Sequence, residues 1–398
     1  MWYFFSPNIV YGEDALDFLE NIPGKKCFII TDEILEDLGY LKLLTDKLEK
    51  FGREYEVFKD VKSDPHEEDV LKAKDACISY APDQIIGLGG GSVMDTAKAV
   101  WALYEYPEFV IDDLHPFNPN LYDLGKKAKM IAIPTTSGTG AETTWAVIIS
   151  RYEEDVWKKL EQAHKGLAPN YAIVDPIFPA GMPPELTVNT GFDALAHSIE
   201  GIISMWKNQF SEAMALKSVE LIFEYLPSAY EDGTNKEARD YMHQAATMAG
   251  LAFGNSQAHL GHSMGHSLGA VFHTHHGKAV GLFLPYVTQF CINNPDEKDP
   301  TIDILGKMAK QLGWCEWKED QKKAAHTVVN KIKELQQKLN LPTKLKDLVS
   351  KEDFDKNLDM LINLVYQSSS STMSPRSATS DDLRKLYIYS FEGKDIDF

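Results

Sequence analysis

The feature that most constrains the fold is a change of hydrophobic period near the middle of the chain. Up to Met182, short apolar, β-branched runs alternate with longer amphipathic ones: Cys27 to Thr31, Arg53 to Phe58, Gln84 to Leu88, Met130 to Ile133, Ala146 to Ser150 and Ala172 to Val174 read as strands. Helical patterns such as Glu67 to Tyr80 and Val93 to Tyr104 lie between several of them. That is the βαβ alternation of a mostly parallel sheet covered by helices. From Pro183 onward strand-like alternation nearly vanishes. Glu185 to Met205, Glu212 to Tyr225, Ala238 to Phe253 and Ala324 to Leu339 carry apolar residues at helical spacing, separated by breakers such as Pro227, Gly233 and Pro342. The proline- and glycine-rich segment Ile177 to Pro184 marks the boundary, so residues 1–182 are expected to form an α/β domain and 183–398 an all-α domain.

A chain of 398 residues with 44% hydrophobic content has core enough for two such domains. Its formal charge of -19, from 59 acidic against 40 basic residues, argues against nucleic acid or an anionic membrane as partner. Cys27, Cys77, Cys291 and Cys315 include no C-x-x-C pair, which suggests neither a disulfide framework nor a thiolate zinc site and fits a reducing cytoplasm. The N-terminal stretch lacks a signal-peptide pattern, and no apolar run reaches the roughly 18 residues of a membrane span. A cytoplasmic location is therefore expected.

Gln84 to Leu88 is an apolar strand running into Gly89-Gly90-Gly91-Ser92, with a helix starting near Ser92 and carrying Asp95 and Lys98. Glycines let backbone approach a pyrophosphate, and the free N–H groups at the helix start attract it. The spacing is not G-x-G-x-x-G, so the tight-turn alternative stands beside this reading. A second polar loop, Pro134 to Glu142, follows the strand Met130 to Ile133 and offers threonine hydroxyls at a strand's carboxyl end, where open α/β sheets bind nucleotides. Asp32 ends the strand Cys27 to Thr31. It can serve the adenosine ribose and repel a 2′-phosphate, favouring NAD over NADP, or act as a helix N-cap.

Asp193 and His197 are four apart in an apolar helical pattern and so share one face. Six of the twelve histidines, His259, His262, His266, His273, His275 and His276, fall within the 18 residues from 259 to 276. One carboxylate with imidazoles and no sulfur suits iron(II) or zinc(II) with an open position for Lewis-acid chemistry. Spacing alone does not rank His262, His266, His273, His275 and His276.

Together, GLGGGSVMDTAKA (Gly87 to Ala99), IPTTSGTGAE (Ile133 to Glu142), VDP (Val174 to Pro176), GFDALAHSIE (Gly191 to Glu200) and LGHSMGHSLGAVFHTHHG (Leu260 to Gly277) resemble the iron-containing alcohol dehydrogenases. That family includes lactaldehyde reductases, propanediol dehydrogenases and butanol dehydrogenases, and the likeness spans nearly the whole chain. It implies a dinucleotide-binding first domain, a metal-binding helical second domain and an active site in the cleft between them. The implied metal ligands are Asp193, His197, His262 and His276, with His266 near the substrate without ligating. Implied cofactor contacts are Asp32, Asp64, Gly90, Gly91, Ser92, Asp95, Thr135, Thr136, Thr139 and Lys159. The resemblance also implies Fe2+ or Zn2+, NAD or NADP, a small alcohol or aldehyde substrate and a homodimer. Ser267, His275 and Val280 depart from the family's usual proline, proline and asparagine, which bears on substrate preference.

The expected reaction is hydride transfer between a small alcohol and nicotinamide, with His266 carrying the proton. A synthase resembling dehydroquinate synthase shares this plan without net redox, but its phosphate-bearing substrate calls for a Lys/Arg cluster that the metal motifs lack. A non-catalytic metal protein is the other alternative, though structural zinc usually closes its shell with cysteines.

Overall fold

The computed structural model describes residues 4–153 and 156–398; residues 1–3 of the N-terminal stretch and 154–155 lie outside it. Two compact units emerge, Met1–Met182 and Pro183–Phe398.

In the first unit the chain runs β1 (Asn8–Tyr11), β2 (Lys26–Ile30), α1 (Glu33–Asp37), α2 (Tyr40–Lys50), β3 (Glu54–Phe58), α3 (Glu67–Tyr80), β4 (Gln84–Gly89), α4 (Gly91–Glu105), β5 (Lys129–Pro134), β6 (Ala146–Glu153), β7 (Val156–Ala163) and β8 (Tyr171–Val174). Six strands pair in parallel in the order β1-β8-β5-β4-β2-β3. Successive residues of β2 face opposite layers: Phe28 and Ile30 meet Val70, Ala73 and Cys77 of α3, whereas Cys27 and Ile29 meet Leu41, Leu44 and Leu48 of α2. Covered on both faces, the central strands are almost continuously apolar, which is why they are legible as runs without alternation.

Ala146–Ser150, expected among these strands, instead belongs to a separate antiparallel hairpin, β6 with β7. The chain leaves β2 toward β3 and leaves β4 toward β5, on the other side of the sheet order, so these two neighbours diverge at their carboxyl ends. Such a divergence opens a crevice where α/β sheets take their ligands.

The second unit contains α5 (Pro184–Ile203), α6 (Gln209–Glu231), α7 (Lys236–Gly254), α8 (Leu260–Phe272), α9 (His276–Ile292), α10 (Thr301–Gln311), α11 (Gln321–Lys338), α12 (Lys351–Gln367) and α13 (Ser380–Glu392). Every residue of α5 from Thr187 to Ile203 is buried, and α6, α7 and α9 pack round it. Pro227, read from sequence as a breaker, lies inside α6. Proline's φ is compatible with a helix, and burial of Leu226, Pro227 and Ala229 offsets the missing hydrogen bond. Pro285 inside α9 removes the N–H that would reach the Gly281 carbonyl; the buried Gln336 Nε2 donates to that oxygen instead, at 2.7 Å. Among the described residues no helix is long and apolar enough to cross a membrane.

Candidate metal centre and cofactor cradle

Three helices supply the histidines and the aspartate. Asp193 and His197 stand one turn apart on α5, His262 and His266 one turn apart on α8, and His276 is the first residue of α9. His275 is the N-cap before it, with φ -53° and ψ 132°, a backbone that the family's proline would also adopt.

Ligand atoms of Asp193, His262 and His276 all lie within 4.8 Å of one another. His276 Nε2 is 3.3 Å and His262 Nε2 3.7 Å from Asp193 Oδ1. His197 stands at the edge of this group: its Nδ1 is 3.9 Å from Asp193 Oδ1, and its ring stacks on Phe253 and on His262, with centroids 3.9 and 4.4 Å apart. His266 stands behind His276, ring centroids 5.0 Å apart, and outside the triad, as does His275.

Burial of Asp193, His197 and His262 is nearly complete, yet Asp193 Oδ1, His197 Nδ1 and His262 Nε2 have no hydrogen-bond partner among the described residues. Leaving such atoms unpaired is costly, so their convergence fits a bound cation. Electrostatics agrees. Burial alone would raise the Asp193 carboxyl, but His197 and His276 outweigh it and hold the group well below its ordinary value. Burial pushes His197 down to about 3, leaving a neutral imidazole with a lone pair to give.

Burial also opposes charge on His262, but Glu200 and Asp193 overcome it and push the imidazole up to about 9. Without an ion, His262 holds a proton that a dication would displace. Glu200 is a residue the sequence reading passed over. Its Oε2 is 2.6 Å from His262 Nδ1 and accepts from the His259 N–H at 2.8 Å, and its Oε1 accepts from the Gly261 N–H at 2.5 Å. Although burial raises this carboxyl, His259 and His262 bring it down to about 2. The available signal was helical phase, since Glu200 is seven residues from Asp193 and three from His197 on α5.

In the first unit the candidate cofactor residues gather at the carboxyl ends of the sheet. Gly90 is the N-cap of α4, whose first turn holds Gly91 and Ser92. A methyl on Gly91 would come within 3.0 Å of the Thr139 side chain, so glycine there lets the two polar loops touch. Thr135 N–H donates to the Gly89 carbonyl at 3.0 Å, and Gly90 faces Thr136.

Ser92 Oγ donates to the Ser63 carbonyl at 2.6 Å, drawing in the segment with Asp64, which accepts from Ser150 Oγ at 2.6 Å and pairs with Lys159 at 2.5 Å. Asp32 follows β2, which pairs Ile30 with Gly87, and its Oδ1 caps α1 by accepting from Leu35 N–H at 3.0 Å. The N-cap role is thus occupied. Asp95 accepts from the Ile148 N–H at 3.0 Å, and burial, only partly opposed by Lys98, pushes its carboxyl up to about 6. Lys98 is fully buried, donates to Thr144 Oγ1 and the Ala146 carbonyl, and is pushed down to about 8 by that burial. These ties anchor α4 to the hairpin.

A parallel sheet with a glycine-rich helix start at its carboxyl ends and a buried carboxylate–imidazole cluster are features of the class of metal- and dinucleotide-dependent enzymes. The family model described as iron-containing alcohol dehydrogenase matches residues 6–176, and that of the Fe-containing alcohol dehydrogenase family, C-terminal, matches 187–391. The chain belongs to the iron-containing alcohol dehydrogenase family.

It is 34% identical over 394 residues to the NADPH-dependent butanol dehydrogenase of Clostridium saccharobutylicum, covering 98% of each chain. The solved iron-containing alcohol dehydrogenase from Thermococcus thioreducens superposes with TM-score 0.86 at 28% identity, covering 99% of this chain and 100% of that one. Sulfoacetaldehyde reductase from Bifidobacterium kashiwanohense, solved with NAD+, gives 0.84 at 26% identity, covering 98% and 99%. Against a longer relative, aldehyde-alcohol dehydrogenase 2 of Entamoeba histolytica, the 38% identical match covers 73% of this chain and 34% of that protein. The chain is accordingly an alcohol dehydrogenase, in reverse an aldehyde reductase, that depends on a nicotinamide cofactor and on iron.

Proposed function

We propose that Asp193, His197, His262 and His276 hold the metal, Fe2+ with Zn2+ as the alternative occupant, and that the substrate is a small alcohol or aldehyde. The convergence of Asp193, His262 and His276 ligand atoms within 4.8 Å carries the reading. When bound, such an ion supplies Lewis acidity that lowers the pKa of an alcohol or polarises an aldehyde carbonyl, and nicotinamide takes up or gives the hydride.

The chain's own groups do the rest. Gly90, Gly91 and Ser92 present the first N–H groups of α4 to the pyrophosphate, Thr135, Thr136 and Thr139 line the facing loop, and Asp95, Asp64 and Lys159 complete the cradle. Asp32 repels a 2′-phosphate, which favours NAD, although the butanol dehydrogenase relative is named NADPH-dependent. A panel of short alcohols and aldehydes with Fe2+ or Zn2+ and either cofactor, followed by nicotinamide absorbance and metal analysis of anaerobically purified protein, tests the whole reading. Silence across the panel would overturn it.

A ring nitrogen of His266 takes the substrate proton toward solvent, because this half-buried imidazole stands next to His276 without joining the triad. His266→Ala is expected to lose about 10²-fold or more in kcat, the usual weight of a general acid–base, with an altered pH profile. Full turnover from roughly pH 6 to 9 would remove His266 from the mechanism.

We further propose a cytoplasmic homodimer, supported by three buried thiols, Cys27, Cys77 and Cys291, and by β1 at the sheet's edge, where backbone is open to pairing. Light scattering that reads a single chain's mass would overturn the dimer, and a chain found outside the cytoplasm would overturn the location.

A further inference from the structure

We infer that Glu200 is a positioning residue for the metal: it fixes the tautomer of His262 and locks the start of α8 to α5, the helix that carries Asp193 and His197. The inference rests on His262 being a ligand. Three groups bond to the Glu200 carboxylate, the His259 N–H, the Gly261 N–H and His262 Nδ1, and the His259 ring Nδ1 faces it at 3.4 Å. A carboxylate only accepts, so at 2.6 Å from it His262 Nδ1 carries the proton. With an ion in place, the Nε2 lone pair is then left for the metal; this is the nitrogen that lies 3.7 Å from Asp193 Oδ1 and lacks a hydrogen-bond partner.

The two backbone bonds have a second effect. They fall on the N-cap residue and the first turn of α8, where a carboxylate is also favoured by the helix dipole. Glu200 is itself fully enclosed and grows from the same helix as Asp193, so one rigid element sets both sides of the site. Ligating histidines are generally oriented by such a partner on the other ring nitrogen, and loss of that partner typically weakens metal affinity by about 10- to 100-fold.

Glu200→Gln is the informative change. It keeps the shape, but an amide must turn its NH2 toward one of the donors that now face oxygen. In the full-length chain, chelator competition with Zn2+ should show affinity about 10- to 100-fold weaker than the parent's, and bound Co2+ should show displaced visible bands. The far-UV spectrum of the metal-free form should stay unchanged, which a general loss of structure would not allow. Parent-like Zn2+ affinity and Co2+ bands would overturn the inference.

His262→Ala separates the two layers. If it too keeps parent affinity, the ligand assignment is what fails; if it loses the metal while Glu200→Gln does not, only the role of Glu200 fails. Should Glu200→Gln not fold, proton NMR of the zinc-loaded parent decides: a far-downfield, slowly exchanging His262 Nδ1 proton supports the carboxylate bond, and one exchanging like a water-bonded imidazole proton overturns it.

Discussion

Asp193→Asn is expected to lower kcat/KM for alcohol oxidation by at least ~10³-fold, the kinetic equivalent of losing several kcal/mol of Lewis-acid stabilisation, and to strip the metal. Asp193 is the only carboxylate in the converging triad, and the two groups that converge on its Oδ1 there are histidines. Removing its charge leaves a dication with neutral ligands in a buried site, an arrangement that burial penalises. The fold should survive. The asparagine amide can donate to His276 Nε2, which lies 3.3 Å from Asp193 Oδ1, giving this nitrogen a partner that does not require metal. Metal analysis, steady-state kinetics and thermal unfolding on one preparation check all three statements. A variant that retains full metal and turnover would remove Asp193 from the ligand set.

That site was partly legible in the sequence, and the division has a physical cause. Asp193 and His197 announce themselves because both lie on one helix, where a spacing of four fixes a shared face. Choosing among His262, His266, His273, His275 and His276 needed family likeness, because the choice depends on where α9 starts against α5. In the structure His276 reaches the triad and its neighbour His275 does not. Glu200 was hidden for a similar reason: its partners His259, Gly261 and His262 are about sixty residues away, and no local pattern marks the pairing.

The fold divides in the same way. The apolar runs of β2, β4 and β5 and the full extent of α3 could be read locally, since burial on both sheet faces or helical spacing shapes each segment by itself. Membership of β6 in a hairpin could not, because Ala146 to Ser150 reads like any buried strand while its partner β7 is rich in Lys and Glu. Pro227 misleads as a breaker for a related reason, and Pro285 inside α9 shows what carries a helix past a proline. What sustains α9 past Pro285 is Gln336, a residue from another helix.

Gly277→Ala should damage the metal site without touching any ligand. A methyl group at Gly277 would stand 2.1 Å from the Asn189 carbonyl oxygen and 3.2 Å from Asp193 Cβ, so α9 meets α5 here with no room for a side chain. The obstructing oxygen belongs to the backbone of the buried stretch of α5, Thr187 to Ile203, and cannot swing aside. Relief therefore requires α9 to move out by roughly 1.3 Å or more, from 2.1 Å to the 3.4 Å at which ordinary van der Waals contact begins. His276 is the adjoining residue and would move with it, whereas metal–ligand distances tolerate only about 0.2 Å. The expected result is metal affinity reduced by tenfold or more, together with a loss of about 1 to 3 kcal/mol in unfolding free energy from overpacking. Chelator competition reads the first and denaturant unfolding of the metal-free chain the second. If stability falls while affinity holds, the start of α9 does not set the ligand geometry; if neither changes, the close crossing of α5 and α9 is not rigid.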